Sequence, residues 1–91
     1  MSGRRTVYEI YWEILIFCKT PRSFTNIINR CDLNSKTGQE YIGFLVGRGY
    51  LTMMDEQGKI TYAASGTATE YTALFSRLYQ QLFDSVPDFR L

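Results

Sequence analysis

The 91-residue sequence contains no histidine. Histidine is the most frequent general base near neutral pH and the most frequent metal ligand, so its absence excludes catalytic sites that depend on an imidazole. The two cysteines, Cys18 and Cys31, do not by themselves provide the four ligands of a structural zinc site. Glycine patterns of phosphate-binding and dinucleotide-binding loops are lacking as well. We therefore expect no enzyme activity, no metal and no cofactor.

Long apolar runs are also lacking. The densest apolar segment, residues 10–18, is interrupted by Glu13 and falls short of the roughly 18 residues that a membrane-spanning helix needs. A small-residue cleavage site, as in a secretory signal, does not follow it. The sequence therefore predicts a cytoplasmic protein without a membrane partner, in which both cysteines are buried free thiols.

Charge of one sign is not in excess, because ten Lys or Arg stand against nine Asp or Glu. The net charge of +1 does not by itself indicate a nucleic-acid partner. The distribution is uneven, since residues 1–48 contain seven basic and four acidic residues, whereas residues 49–91 contain three and five. With 45% hydrophobic residues, the composition is typical of a folded protein, and the length predicts a single domain over residues 1–91.

Hydrophobic periodicity predicts a first helix. Apolar residues from Val7 to Cys18 recur at the i, i+3, i+4 and i+7 spacing of a helical face. A second apolar row predicts that this helix is covered from two directions, which leaves chiefly Glu9 and Glu13 to water. Pro21 ends the helical segment.

Two further helices follow, separated by a tight turn at residues 32–34. Ser23 is the expected N-cap of a short second helix, and Asn34 is that of a third. The third helix is expected to end at residues 47–49, where glycine can adopt the left-handed C-cap conformation.

The second half of the sequence predicts a hairpin and a long helix. Residues 50–54 and 59–63 are β-prone, and the four residues between them have a turn composition. The residues of this hairpin that are expected to face inward are Leu51, Met53, Ile60 and Tyr62. A final helix is predicted over about residues 65–84, with Ser65 and Thr67 as two candidate caps. Thr67 and Glu70 also match the pattern of a capping box.

This order of elements is that of a winged helix-turn-helix domain. The predicted fold class is mainly α with a β-hairpin (α+β). A three-helix core and a two-stranded wing occupy about residues 7–63, and a long C-terminal dimerisation helix follows. In such domains the third helix enters the major groove of DNA with its N-terminal turns.

Several short motifs resemble the small archaeal winged helix-turn-helix regulators over about residues 7–83. The matching motifs are Thr25-Asn26-Ile27-Ile28, Asp32-Leu33-Asn34, Thr37-Gly38, Tyr41-Ile42, Leu45, Gly49-Tyr50-Leu51 and Tyr62. The resemblance implies a DNA-binding protein and, as in some members, a dimer formed through an antiparallel coiled coil of the C-terminal helix. The sequence departs from the family pattern at Asn26, which replaces a basic residue, and at Ala68, which replaces a glycine.

The fold places the predicted contacts with double-stranded DNA on three elements. On the third helix, Lys36 is expected to contact a phosphate or a guanine, Gln39 an adenine and Ser35 either base. Glu40 either discriminates between bases or is simply solvated. Around the second helix and on the wing, the predicted contacts are Arg22, Thr25, Asn26, Asn29, Arg30 and Lys59.

The apolar stripe on the final helix predicts a homodimer, because it exceeds what one small domain covers. The spacing of its apolar residues is that of a coiled-coil seam. We expect the first helix to contribute to the dimer interface as well. The expected interface residues are Tyr8, Trp12, Tyr71, Phe75, Leu78 and Leu82.

These features together favour a transcriptional regulator, but two other functions stay open. A winged helix can also be a protein-docking module, which the near-neutral charge and the acidic wing tip Asp55-Glu56 favour. It can also be a non-specific, chromosome-associated DNA-binding protein.

Overall fold

The computed structural model describes residues 6–83, with the backbone alone for the last two. Along this stretch the elements are α1 (Val7–Phe17), α2 (Phe24–Arg30), α3 (Ser35–Gly47), β1 (Leu51–Glu56), β2 (Lys59–Ala64) and α4 (Gly66–Phe83). Their order and mainly helical content confirm the predicted fold class. The predicted last residue of the final helix, Asp84, lies outside the described residues.

Helix α1 begins with a capping box that the sequence analysis did not predict. The Thr6 side chain accepts a hydrogen bond from the Glu9 backbone N–H at 3.1 Å, and the Glu9 carboxylate accepts one from the Thr6 N–H at 2.7 Å. Two N–H groups that the helix cannot satisfy internally are thereby paired. The Glu9 charge also lies at the positive end of the helix dipole, where it is favourable.

The core lies where α1 packs against α2, α3, α4 and β2. All four helices and β1 contribute buried side chains, and each fully buried Leu or Ile contributes about 1.5–3 kcal/mol. The members of the core are Ile10, Ile14, Leu15, Cys18, Ile27, Cys31, Ile42, Leu45, Leu51 and Ala68.

Glu13 lies inside the protein, with only 2% of its surface exposed. The prediction that Glu13 belongs to a solvated side of the first helix is therefore wrong. Periodicity identified the apolar faces of α1, but α1 contacts three helices and a strand, so little of its circumference is left for water. A polar position between two covered faces is buried with them.

Neither cysteine forms a disulfide bond, and both are fully buried, as predicted. Cys18 is the C-cap of α1, and Cys31 is the C-cap of α2. Burial raises the pKa of the Cys18 thiol to about 12, although the nearby charge of Arg22 opposes this effect. The thiol is therefore protonated at neutral pH and acts as a small apolar side chain.

The two strands form an antiparallel hairpin, here called the wing, in a register from Leu51 opposite Ala64 to Glu56 opposite Lys59. The loop consists of Gln57 (φ 56°) and Gly58 (φ 81°). Positive φ at both loop residues is the feature of a type I′ turn, whose twist matches that of the flanking strands.

The wing extends past the edge of the core. Leu51 is buried, but Met53 on the same face is 54% exposed and Ile60 is 45% exposed. The prediction that Met53 and Ile60 face inward is therefore wrong in one respect, because neither side chain is buried. Strand alternation placed them on the correct face, but burial decreases along the hairpin from Leu51 to Met53, which lines an open groove beside α3.

The base of the wing is hydrogen-bonded to the segment that leads into α2. The Arg22 N–H donates to the Tyr62 carbonyl at 2.9 Å, and the Tyr62 N–H donates to the Arg22 carbonyl at 2.8 Å. This reciprocal pair adds one bridge of a third strand to the hairpin. The wing and the start of α2 are thus joined through the backbone.

Helix α4 begins at Gly66, directly after Ser65, one of the two predicted caps, and one residue before Thr67, the other. Thr67 therefore lies within the helix, and the predicted capping box with Glu70 does not form. Instead, the Ser65 N–H donates to the Tyr50 carbonyl at 2.9 Å, and the Ser65 hydroxyl donates to the Gly49 carbonyl. These bonds attach the start of α4 to the connection between α3 and β1.

Candidate nucleic-acid interface

A fixed turn sets the position of α3 relative to α2. Asp32 adopts the left-handed conformation (φ 57°), and the Leu33 N–H donates back to the Ile28 carbonyl at 2.8 Å, which is the pattern of a Schellman motif. The Asn34 side chain then caps α3 by accepting from the Thr37 N–H at 2.8 Å. The predicted turn and cap are therefore confirmed, and no flexible linker separates the two helices.

The two helices approach closely at Gly38. A Cβ at this position would overlap the Cγ2 atom of Ile28 and would lie 3.5 Å from the Phe24 ring. Gly38 is buried, so the overlap could not be relieved by movement into solvent. Glycine here determines how deeply α3 sits against α2, and thus how far its other face projects.

The outward face of α3 carries the predicted base contacts. Ser35, Lys36, Gln39 and Glu40 are all exposed, whereas Gly38, Ile42 and Leu45 on the opposite side are buried. The structure thus brings the four predicted residues together on the first two turns of the helix. The free N–H groups of this helix end also favour negatively charged phosphate.

The predicted contacts around α2 fall into two environments. Thr25, Asn26 and Asn29 are exposed. Arg22 is half-buried, since its Nε donates to the Phe17 carbonyl at 3.1 Å and its guanidinium lies 4.3 Å from the centre of the Phe17 ring. Arg30 is exposed, and its guanidinium lies 5.9 Å from the same ring. The Arg22 side chain is therefore engaged mainly in contacts within the protein, whereas the Arg30 side chain is accessible from outside.

The tip of the wing is acidic. Lys59, a predicted contact, is exposed and lies opposite Glu56 across the hairpin. The Asp55 side chain accepts from the Gly58 N–H at 3.2 Å, so this carboxylate is held at the turn. Two carboxylates beside a single lysine disfavour phosphate at this tip.

A groove of about 300 Å³ runs between α3 and the wing. We call it the α3–wing groove; its lining residues are Phe24, Gln39, Ile42, Gly43, Val46, Met53 and Tyr62. None of the lining residues is charged. This groove was not predicted from the sequence, although a glycine at an exposed position of α3 and an apolar wing residue were signals that could have indicated it.

The sequence matches the family model described as winged helix-turn-helix over residues 4–77. The chain belongs to the winged helix-turn-helix family. The resemblance predicted from the sequence is therefore confirmed, and α3 occupies the place of the recognition helix in this family. No curated protein matches the chain.

Solved structures show the same winged helix-turn-helix fold. Sso10a-2, a DNA-binding protein from Sulfolobus solfataricus, is 23% identical with a TM-score of 0.75, over 88% of this chain and 87% of that one. The transcriptional regulator BldR from the same organism is 14% identical with a TM-score of 0.69, over 88% of this chain and 63% of that one.

A third similar structure comes from Mycobacterium bovis. It is the homodimeric winged helix-turn-helix DNA-binding domain of Mb0332, a possible ArsR-family transcriptional regulator. It is 15% identical with a TM-score of 0.67, over 98% of this chain and 100% of that one. At these identities the likeness concerns the fold.

In this winged helix-turn-helix chain, α4 packs on α1 through several of the predicted interface residues. The Trp12 ring lies 6.1 Å from that of Phe75. The Tyr71 ring stacks on Tyr50 at 6.0 Å, and its hydroxyl donates to the Tyr8 carbonyl at 2.6 Å. Burial, and secondarily the neighbouring tyrosines, raise the pKa of Tyr71 to about 12. These rings therefore make contacts within one chain.

A different side of α4 faces water. Leu74 is 60% exposed, and Leu78, one turn later, is 54% exposed. Leu78 was a predicted interface residue, but Leu74 was not. The Leu82 side chain lies outside the described residues. Between positions 6 and 83 no helix is long and apolar enough to cross a membrane, and no cluster of metal-ligating side chains occurs.

Proposed function

We propose that this protein is a transcriptional regulator that binds double-stranded DNA as a homodimer, with the N-terminal turns of α3 in the major groove. The observation that carries the proposal is the exposed polar face of Ser35, Lys36 and Gln39 on a recognition helix whose inner side is fixed at Gly38. Base recognition requires side chains that project from a rigid support. This face provides them at the position where the fold presents a helix to DNA.

Each polar residue has a role that follows from its chemistry. Gln39 pairs with adenine, Lys36 contacts a guanine or a phosphate, and Ser35 hydrogen-bonds either base. Thr25, Asn29 and Arg30 contact the phosphate backbone on one side of α3. Glu40 rejects phosphates and accepts from a cytosine amino group. The remaining predicted contacts, with smaller contributions, are Arg22, Asn26 and Lys59.

The homodimer forms through α4. Leu74 and Leu78 expose apolar surface on one side of a helix whose other side is covered by α1. A second copy covers this surface at little cost in polar desolvation. The similar Mb0332 domain is homodimeric, which supports this arrangement. The protein acts by binding alone, as one domain over residues 1–91, in the cytoplasm and without a cofactor.

The experiment that tests the proposal is fluorescence anisotropy with a duplex from upstream of the protein's own gene and a scrambled duplex of equal length. We expect preference for the upstream duplex and a loss of affinity of roughly 10³-fold between 50 and 200 mM salt, since phosphate contacts release counterions. Equal, salt-sensitive binding to both duplexes would instead identify a chromosome-associated protein.

The acidic tip of the wing favours a second candidate function, docking of another protein. Asp55 and Glu56 would repel DNA phosphates but would attract a basic partner surface. Failure to bind either duplex at low salt would favour this function over DNA binding.

A further inference from the structure

The α3–wing groove has a chemistry that differs from the polar face beside it. The side chains of Phe24, Val46, Met53 and Tyr62 provide an apolar wall, and no Lys or Arg lines the groove. Phosphate groups therefore gain little by entering it. An apolar group gains from removal of its surface from water.

Gly43 keeps the groove open on the side of α3. A Cβ at this position would have no atom within 4 Å, so nothing inside the protein requires glycine here. Glycine within a helix is less favourable than alanine. At Gly38, by contrast, a Cβ would overlap Ile28, so packing requires glycine there, whereas Gly43 leaves open space in the groove that it lines.

Gln39 connects the groove with the DNA-facing surface. It is exposed, it lies one helical turn before Gly43, and it lines the groove. A glutamine in the major groove recognises adenine through N6 and N7. The partner of adenine is thymine, whose C5-methyl is the one apolar group that base pairs present in that groove. One turn of α3 covers about 5.4 Å, whereas successive bases of a strand are about 3.4 Å apart. The groove beside Gly43 therefore corresponds to the base pair contacted by Gln39 or to the next pair.

We propose that the α3–wing groove binds the C5-methyl group of a thymine in the base pair contacted by Gln39 or in the pair next to it. This inference rests on the proposed function and adds a specificity to it, because it predicts a preference for A·T pairs at this step of each half-site. Gly43 admits the methyl group to the groove, and Met53 contacts it from the wing.

The test uses an A·T-containing duplex that the protein binds and the same duplex with deoxyuridine in place of every thymidine. This replacement removes only the methyl groups and preserves base pairing. Burial of one methyl is equivalent to roughly a fourfold change in affinity, so two half-sites predict a weakening of roughly 15-fold. Affinities are measured by fluorescence anisotropy at constant salt.

Three variants separate a methyl contact from a general effect of uridine on DNA shape. Gly43→Leu fills the groove, and Met53→Ala removes one wall; both are expected to bind the two duplexes equally. Gly47→Leu is the matched control, because Gly47 is also unobstructed but does not line the groove; it retains the difference. Met53 is exposed, so its truncation tests the groove even if the leucine variant misfolds.

The outcomes distinguish this inference from the proposed function. Equal binding of the thymidine and uridine duplexes by the wild-type protein overturns the inference and leaves DNA binding intact. A difference that persists in Gly43→Leu and Met53→Ala also overturns it, since the groove would not be its origin. Failure of the wild type to bind any duplex overturns the proposed function itself.

Discussion

The indole N–H of Trp12 in α1 donates a hydrogen bond to the hydroxyl of Ser76 in α4, at 3.0 Å. The same N–H lies 3.3 Å from the Thr72 carbonyl, one turn earlier on α4. These bonds and the adjacent Phe75 ring attach the middle of α4 to its own core. The apolar surface at Leu78 is thereby directed away from the core and is available to a second copy.

Replacement of Ser76 by alanine tests this attachment. We expect Ser76→Ala to lower the free energy of unfolding by about 0.5–1.5 kcal/mol, the usual net value of one hydrogen bond. The measurement is equilibrium urea denaturation followed by circular dichroism. Gln80→Ala, exposed on the same helix, serves as the control and should change stability by less than about 0.5 kcal/mol. Equal values for the two variants would contradict the structural role of the bond.

A charge at Leu78 tests the proposed dimer. Leu78→Asp should yield monomers, because a carboxylate buried in an apolar seam loses its hydration without a partner. Multi-angle light scattering measures the mass of the particle directly. Gln80→Asp introduces the same charge on a polar side of α4 and should remain dimeric. A dimeric Leu78→Asp protein would place the interface elsewhere.

Two glycines of α3 predict opposite effects of the same substitution. Gly38→Ala should destabilise the protein by about 1–3 kcal/mol, since the added methyl overlaps Ile28. Gly43→Ala should stabilise it by up to about 1 kcal/mol, because the helix gains propensity and no atom obstructs the methyl. Thermal denaturation of the pair provides the comparison. A stable Gly38→Ala protein would show that α2 and α3 can separate at little cost.

The double variant Lys36→Ala, Gln39→Ala tests the recognition face. DNA affinity should fall by roughly 10- to 100-fold, given about 1–3 kcal/mol for one good base contact. Helicity and dimer mass should be unchanged, because both side chains are exposed. Thr69→Ala on α4, far from α3 in the sequence, is the control with normal affinity. Unaltered binding by the double variant would remove α3 as the reading element.

The buried thiols predict resistance to alkylation. Iodoacetamide at pH 8 should leave Cys18 and Cys31 unmodified in the folded protein, since both are inaccessible and burial raises the pKa of Cys18 to about 12. Because its pKa is raised, the Cys18 thiol stays protonated, and therefore unreactive, at pH values well above neutral. In denaturant both should react fully, as measured by mass spectrometry. Rapid labelling of the native protein would contradict this burial.

The sequence predicted those features that depend on a few consecutive residues. Ser23 and Asn34 cap their helices because a short polar side chain reaches the N–H three residues later. The hairpin was predictable for the same reason, since Gln57 and Gly58 supply the positive φ values that its turn requires. Local chemistry was sufficient in these cases.

Features that depend on how the elements assemble could not be predicted. Glu13 is buried because α1 is covered on several sides, and Met53 is exposed because the wing passes the edge of the core. The partners of Trp12 lie 60 and 64 positions away in the sequence. The α3–wing groove likewise exists only once α2, α3 and both strands are in place.

The reciprocal hydrogen bonds between Arg22 and Tyr62 have a mechanical consequence. They couple the base of the wing to the entry of α2, and the fixed turn at Asp32 couples α2 to α3. The distance between the recognition helix and the wing is therefore a dimension that the fold itself fixes. Under the proposed function, we expect that a bound duplex has to fit this dimension, so that DNA sequences whose groove width adjusts at low energy bind more tightly than stiff ones, even where no side chain touches a base.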